Sequence, residues 1–240
     1  MYAASIPESN PMIDLSSSKL FATLGKDDVK AIASYAFKRK FNASDTIILA
    51  DTPATHLVMV SEGSVNFYVA TETGKNILLR RLAPGDVFGM AALLSEPTGY
   101  MGTAPAVENV EVMGWECRTV RQLARAYPRF AENALRIALL YFAEHARRHI
   151  SLVSDTAQER LAYALTSVAA NGGRVLQGGV EIKIKNEDLA SLADVSLFTA
   201  SRVLKKWQRS GALEKCRGKA LIRCPEKLLA DDAPLERNTE

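Results

Sequence analysis

Histidine and cysteine are scarce: the 240-residue chain holds three of each. Cys117, Cys216 and Cys224 are scattered along it, which excludes a disulfide framework and fits a reducing cytoplasm. His145 and His149 stand four apart, a spacing able to chelate a metal, but no third ligand sits at a matching position, so a packed or solvated pair is the simpler reading. No apolar run is long enough to span a membrane, and a membrane is not an expected partner. The opening "MYAASIPESNPMIDLSSSKL" has neither a basic nor an apolar leader segment, so no secretory signal is expected and a cytoplasmic location is. A Ser/His/Asp constellation, a phosphate-cradling loop and zinc-ligand spacing are all missing. "LAPGDVFG" bears glycine but lies between strand-like runs and opens no helix. With no catalytic set in view, an enzyme is not expected.

What is present is a globular composition, 48% hydrophobic, over a length that suits two domains. The charge is unevenly spread. Residues 1–120 hold 10 Lys/Arg against 13 Asp/Glu, whereas residues 174–229 hold 12 against 6. A locally basic segment on a mildly acidic body is either a solvated face or the footprint of a nucleic-acid-binding module.

Residues 1–17, rich in Ser, Pro and Asn, read as a flexible arm. After short helices in "SKLFATLGKDDVKAIASYAF", the pattern from Lys40 to about Cys117 becomes strand-like. "TIILA", "HLVMVSEG", "SVNFYVA" and "NILLRRLAPGDVFG" are punctuated by turn residues, which suggests an antiparallel sandwich or roll over 18–124. A long helix follows over 125–154, with Pro128 placed to start a helix. Leu135, Leu139, Phe142, Ala146, His149 and Val153 recur on it in steps of four and three, a coiled-coil seam with one polar member. Such a stripe packs either on its own roll or, as expected here, on a symmetric copy of itself. Residues 155–229 then read as a helix capped by Asp155 or Thr156, a strand "VEIKIK", two short helices and a hairpin, with a loose acidic tail over 230–240.

The two short helices lie in "NEDLASLADVSLFTASRVLKKWQRSGAL". Asn186 is a good cap for a helix from Glu187 to Ala193, Asp194 tolerates the sharp turn, and Ser196 caps the next helix, which Gly211 ends. A buried stripe of Ala200, Val203, Leu204 and Trp207 makes this a helix-turn-helix. Its outward face is then Leu197, Phe198, Ser201, Arg202, Lys205 and Arg209. In such motifs the second helix enters the major groove. Arg202 has the fork for guanine; Ser196, Thr199 and Ser201 can bond phosphates or bases; Lys205, Lys206 and Arg209 can neutralise phosphate. "EKCRGKALI" makes a wing bearing Lys215, Arg217 and Lys219. Cys216, between two cations, is either a reactive thiol or an ordinary hairpin residue.

On "LVMVSEGSVNFYV", "LAPGDVFG", the long helix and the winged motif, the chain resembles the Crp/Fnr family of bacterial transcription regulators over roughly residues 18–228. The resemblance implies an α+β chain: an N-terminal antiparallel β-roll of cyclic-nucleotide-binding (jelly-roll) type, a dimerisation helix and a C-terminal winged helix-turn-helix. It implies a homodimer on a palindromic double-stranded DNA site, with RNA polymerase as a partner if it activates. The alternative of a ligand-binding roll whose attached domain contacts protein stays open. Members that bind cyclic AMP carry a Glu after "PGD.FG" and an Arg-Ser pair about ten residues later. Here Met90 stands at the first position and Tyr100 and Met101 at the second. A pocket of Arg80, Met90, Leu93, Tyr100 and Met101 is therefore expected to take no cyclic nucleotide, with rescue by Arg80 or Arg81 the one route to it. Iron–sulfur is not expected, because residues 1–50 hold no Cys. "FGMAALL" lacks the Cys and His of haem-type carbon monoxide sensors, although haem, with His56 in reach, is left open. In the Fnr branch the second helix begins Glu-x-x-Ser-Arg; Phe198 replaces that Glu.

Overall fold

Short strands dominate the chain up to Glu116, and helices take over from Cys117. The computed structural model describes Leu15 and residues 18–96, 98–216 and 218–229. Of the expected arm over 1–17 only Leu15 is among these, and the expected tail 230–240 lies outside them. In chain order the elements are α1 (Lys26–Ser34), β1 (Phe37–Phe41), β2 (Thr46–Ile48), β3 (His56–Glu62), β4 (Val65–Ala70), β5 (Asn76–Leu82), β6 (Val87–Phe88), β7 (Ala104–Pro105) and β8 (Val110–Glu116). There follow α2 (Cys117–Ala126), α3 (Pro128–Ser154), α4 (Ala157–Gly172), β9 (Arg174–Leu176), β10 (Gly179–Lys183), α5 (Asn186–Leu192), α6 (Leu197–Arg209), β11 (Leu213–Cys216) and β12 (Lys219–Ile222).

The chain divides into two units whose boundaries differ from the expected ones. One runs up to Val65 and takes in Ala83–Met101 and Pro105–Leu140; the other takes in Asn66–Leu82, Gly102–Ala104 and the chain from Tyr141 on. All of the β4–β5 hairpin but Val65 falls within the second of these units.

The first unit is built on the antiparallel sheet β1-β8-β3-β6, with Phe37 opposite Gly114, Leu57 opposite Trp115 and Val58 opposite Phe88. Glycine at 114 is a steric requirement: a Cβ there would lie 2.3 Å from the Phe37 ring. Leu57, Val60, Val65, Val112 and Trp115 are fully buried. The Trp115 indole N–H finds the Ile32 carbonyl at 2.9 Å, and its ring meets Phe21 and Phe130 edge-on at 6.1 Å. That cluster seats the first half of α3, whose Phe130, Asn133, Ala134 and Ile137 are buried, with Asn133 donating to the Leu20 carbonyl at 3.1 Å. Proline starts this helix, as its missing N–H and fixed φ favour. Position 125, the expected start, falls instead near the end of α2.

In the second unit α4, α5 and α6 enclose one apolar core with the four-stranded sheet β11-β12-β10-β9. The strand β9 was not expected: Arg174–Leu176 are all exposed, so no alternation marks them. Thr156 caps α4 in a reciprocal box, accepting from the Glu159 N–H at 3.2 Å while Glu159 accepts from the Thr156 N–H at 2.7 Å.

Candidate nucleic-acid interface

Residues 186–209 form two helices joined by a tight turn, the geometry their apolar spacing anticipates. Leu189 and Ala190 of α5 meet the buried stripe Ala200, Val203, Leu204 and Trp207 of α6. One cap is displaced from the expected place. Asn186 is already helical, Lys185 is the cap, and α5 ends at Leu192 rather than Ala193. The Asn186 side-chain oxygen is buried without a partner among the described residues, so it caps nothing there. Ser196 caps α6 as expected, its hydroxyl accepting from the Thr199 N–H at 3.0 Å. Gly211, just past the helix, takes φ +71°.

The turn is held more firmly than its sequence announces. Asp194 has φ +50°, a left-handed conformation that costs a non-glycine residue roughly 1–2 kcal/mol. Two arginines from other helices brace it. Arg160 of α4 donates to the Ala193 carbonyl at 3.0 Å and to Asp155 at 2.9 Å. Arg148 of α3 donates to the Ser191 carbonyl at 3.1 Å, to Leu79 of the hairpin at 2.8 Å, and pairs with the Asp194 carboxylate at 3.4 Å. Cations at the carbonyl end of a helix are favourable in themselves. The hairpin adds a bond from the Tyr68 hydroxyl to Asp188 at 2.8 Å, and burial beside that carboxylate pushes the phenol pKa well up.

Stripe burial settles which side chains face out. Phe198, Arg202, Lys205 and Arg209 are exposed, and Ser201 and Thr199 half-exposed. Arg202, Lys205 and Arg209 form no salt bridge among the described residues. Two of the cations expected to face DNA are otherwise engaged. Lys206 turns toward α4 and donates to Gln158 at 3.0 Å, because it sits on the flank of the buried stripe. Lys219 donates to the Glu181 carboxylate at 3.2 Å across the β10–β12 pair. On the wing, Lys215 is half-buried, and desolvation lowers its pKa. Arg217 lies outside the described residues.

In the roll, the side chains expected at an effector pocket differ in burial. Tyr100 is buried, with Met90 and Leu93 half-buried on a 3-10 turn, while Met101 is exposed. The Tyr100 hydroxyl accepts from the Thr55 and His56 N–H groups at 3.1 and 2.9 Å and lies 3.2 Å from the His56 carbonyl. Its own backbone bonds Thr52 and Asp51, so one residue stitches the loop 51–56. Gly89 has φ +76°, and a Cβ there would meet the His56 carbonyl at 2.4 Å and the Tyr100 ring at 3.3 Å. His56 is half-buried, its Nδ1 2.8 Å from the Thr55 hydroxyl, and burial lowers its pKa. Arg80 belongs to the second unit, where it pairs with Glu144 and stacks 3.9 Å over Tyr141. Arg81 donates to the Lys183 carbonyl.

Along α3 most of the expected seam is exposed. Phe142 is 71% exposed and Val153 91%; Leu135 and Leu139 are exposed as well, and Ala146 half-buried. Ile150, also exposed, extends the stripe beyond the residues read from the sequence. His145 is half-buried and His149 exposed; among the described residues no group of three or more His, Cys, Asp or Glu could hold a metal.

Residues 38–127 match the model of the cyclic nucleotide-binding domain, and residues 159–230 that of the Crp-like helix-turn-helix domain. The cyclic AMP receptor protein of Thermus thermophilus is 29% identical over 207 residues, covering 86% of this chain and 93% of its own length. The transcriptional regulator LdrP of the same organism is 28% identical over 176 residues, covering 73% and 86%. Among solved structures, a CRP-family transcriptional regulator from Thermus thermophilus superposes with a TM-score of 0.68 at 26% identity, over 79% of this chain and 94% of that one. The c-di-GMP-responsive regulator CLP of Xanthomonas campestris shares the fold, with a TM-score of 0.71 at 18% identity over 82% and 99%.

The stitch made by Tyr100 can be tested by itself. Tyr100→Phe keeps the ring but leaves two amide N–H groups without their acceptor, and is expected to cost roughly 1–3 kcal/mol. Chemical denaturation of the purified chain measures it, and an unchanged midpoint would show that water replaces the hydroxyl.

Proposed function

The chain belongs to the Crp/Fnr family of DNA-binding transcription regulators, and we propose that it reads a palindromic promoter site as a homodimer, without a cyclic nucleotide. One observation carries the reading of DNA. Arg202, Lys205 and Arg209 stand on the outward face of α6 with no salt bridge among the described residues. Uncompensated cations gathered on the second helix of this motif suit a polyanion, whose counterions they displace. Arg202, in the N-terminal half of the helix, is the candidate for bidentate contact with guanine. Lys205 and Arg209, further along, suit phosphate. Ser201 can reach a base or phosphate, while the Ser196 hydroxyl is occupied by its cap. Arg202→Ala should lose roughly 1–3 kcal/mol of specific binding and relax the preference at one G·C pair per half-site. Arg209→Ala should weaken all sequences alike and lower the salt slope by about one. Mobility shifts across a salt and sequence series measure both; equal losses on every sequence from Arg202→Ala would remove it from base reading.

The homodimer rests on the α3 stripe. Leu135, Leu139, Phe142, Ala146 and Val153 lie on one helix at seam spacing and leave apolar surface in water that a second copy, related by a two-fold axis, would cover. That symmetry sets two half-sites about one helical turn apart. Phe142→Glu places like charges across the axis and should give monomers with weakened site binding. Sedimentation velocity is the check, and a monomeric parent chain would exclude the assembly.

Independence from cyclic nucleotides follows from the roll. A buried phosphate needs a cation or several aimed donors, since an unpaired buried charge costs many kcal/mol. Met90, Tyr100 and Met101 offer no cation, and the Tyr100 hydroxyl is already satisfied by the loop it stitches. Arg80, the possible rescue, is committed to Glu144 and Tyr141. Calorimetry against cyclic AMP and cyclic GMP should register no binding at physiological concentrations; micromolar binding of defined stoichiometry would overturn this.

A further inference from the structure

The helix α6 opens with two large apolar side chains that its own fold does not bury. Leu197 is 45% exposed and Phe198 78%. Single exposed apolar residues are common on protein surfaces and need no explanation. Phe198 differs in where it stands. The buried stripe of Ala200, Val203, Leu204 and Trp207 takes the opposite side of the helix. Phe198 therefore shares its face with Arg202, one turn further on, and with Lys205 and Arg209 beyond. The outward surface of α6 is apolar at its N-terminal end and cationic along the rest. In a helix-turn-helix it is the N-terminal residues of the second helix that reach base edges.

A phenyl ring offers a base edge no hydrogen bond. The major groove presents one apolar group, the C5-methyl of thymine, and phenylalanine is among the side chains that contact it. We infer that Phe198 is a specificity-determining residue that reads a thymine methyl, beside the guanine read by Arg202. The inference rests on the DNA-binding reading above and gives it a second base. Spacing sharpens it. Four residues advance the helix axis about 6 Å, and successive base pairs stand about 3.4 Å apart. The thymine should therefore lie within about two base pairs of the guanine in each half-site. A carboxylate at position 198 would instead accept from the amino group of cytosine, so Phe and Glu at this one position select different pyrimidines.

The test uses the full chain and a site selected from a random DNA pool. Each thymine of the selected duplex is replaced in turn by deoxyuridine, which removes the methyl group and nothing else. One replacement per half-site is expected to weaken the parent protein about fourfold, the fold-change that burying a single methyl gives. Phe198→Ala should bind the thymine and uracil duplexes equally, and Phe198→Glu should move the preference at that position from thymine to cytosine. Since the ring is exposed, both variants should melt as the parent does. Sensitivity to uracil that survives Phe198→Ala, or a parent protein indifferent to every methyl, would overturn the inference while leaving DNA binding intact. Failure of the pool to enrich any sequence would overturn the DNA-binding reading and this inference with it, and a contact of Phe198 with a protein would show as binding indifferent to base identity.

Discussion

Burial of the α6 stripe is the constraint from which the interface follows. Ala200, Val203, Leu204 and Trp207 are held in one core with α4 and α5, and the Trp207 indole N–H is tied to the Leu228 carbonyl at 3.0 Å. A large ring with a directional bond cannot rotate without losing both packing and partner. Turning the helix by one residue, about 100°, would carry Arg202 to the place that the buried Val203 now holds. The cationic face therefore has its aim set by apolar contacts on the far side. The same Leu228 carbonyl also accepts from Gln158 at 3.0 Å, so the segment after the wing locks α4 and α6 together.

Aim also depends on the turn, where the chain departs from relaxed backbone geometry. The left-handed conformation at Asp194 persists because its surroundings over-determine it. Arg160 holds the last carbonyls of α5 from α4, and Arg148 holds the Ser191 carbonyl from α3. Arg148 reaches the hairpin as well, through Leu79. One guanidinium thus couples three elements of the second unit, and the hairpin's Tyr68–Asp188 bond adds a further restraint on the first helix.

Periodicity made the second unit largely readable in advance. The stripe of α6, the Ser196 cap, the positive φ at Asp194 and the Gly211 stop all follow from local residue chemistry, so they could be placed from neighbours in the sequence. What escaped was non-local. Nothing near Arg148 or Arg160 in the chain signals that their forks end on carbonyls 43 and 33 residues away. Lys206 and Lys219 looked like free cations because their partners Gln158 and Glu181 are distant in sequence. The strand β9 had no alternation to show, and Asn186 was read as a cap from residue type when the backbone places Lys185 there. In the roll, the loss of a cation at Tyr100 and Met101 could be read from the resemblance, but the use of the phenol as a stitch for loop 51–56 depends on distances that only the fold supplies.

That stitch bears on how the two ends of the molecule divide their work. A hydroxyl satisfied by two backbone amides has little left to offer a polar ligand, and the ring and the His56 carbonyl leave no room for a side chain at Gly89. The loop 51–56 is thus held by a side chain of the roll itself. An effector of the roll could, on the proposed reading, shift an equilibrium only by its differential affinity for two states. On the proposed reading, the apolar seam of α3 is then the surface whose occupancy changes most between a lone chain and a working regulator. Its C-terminal half carries Arg148, so pairing of the seam and bracing of the turn are tasks of one helix.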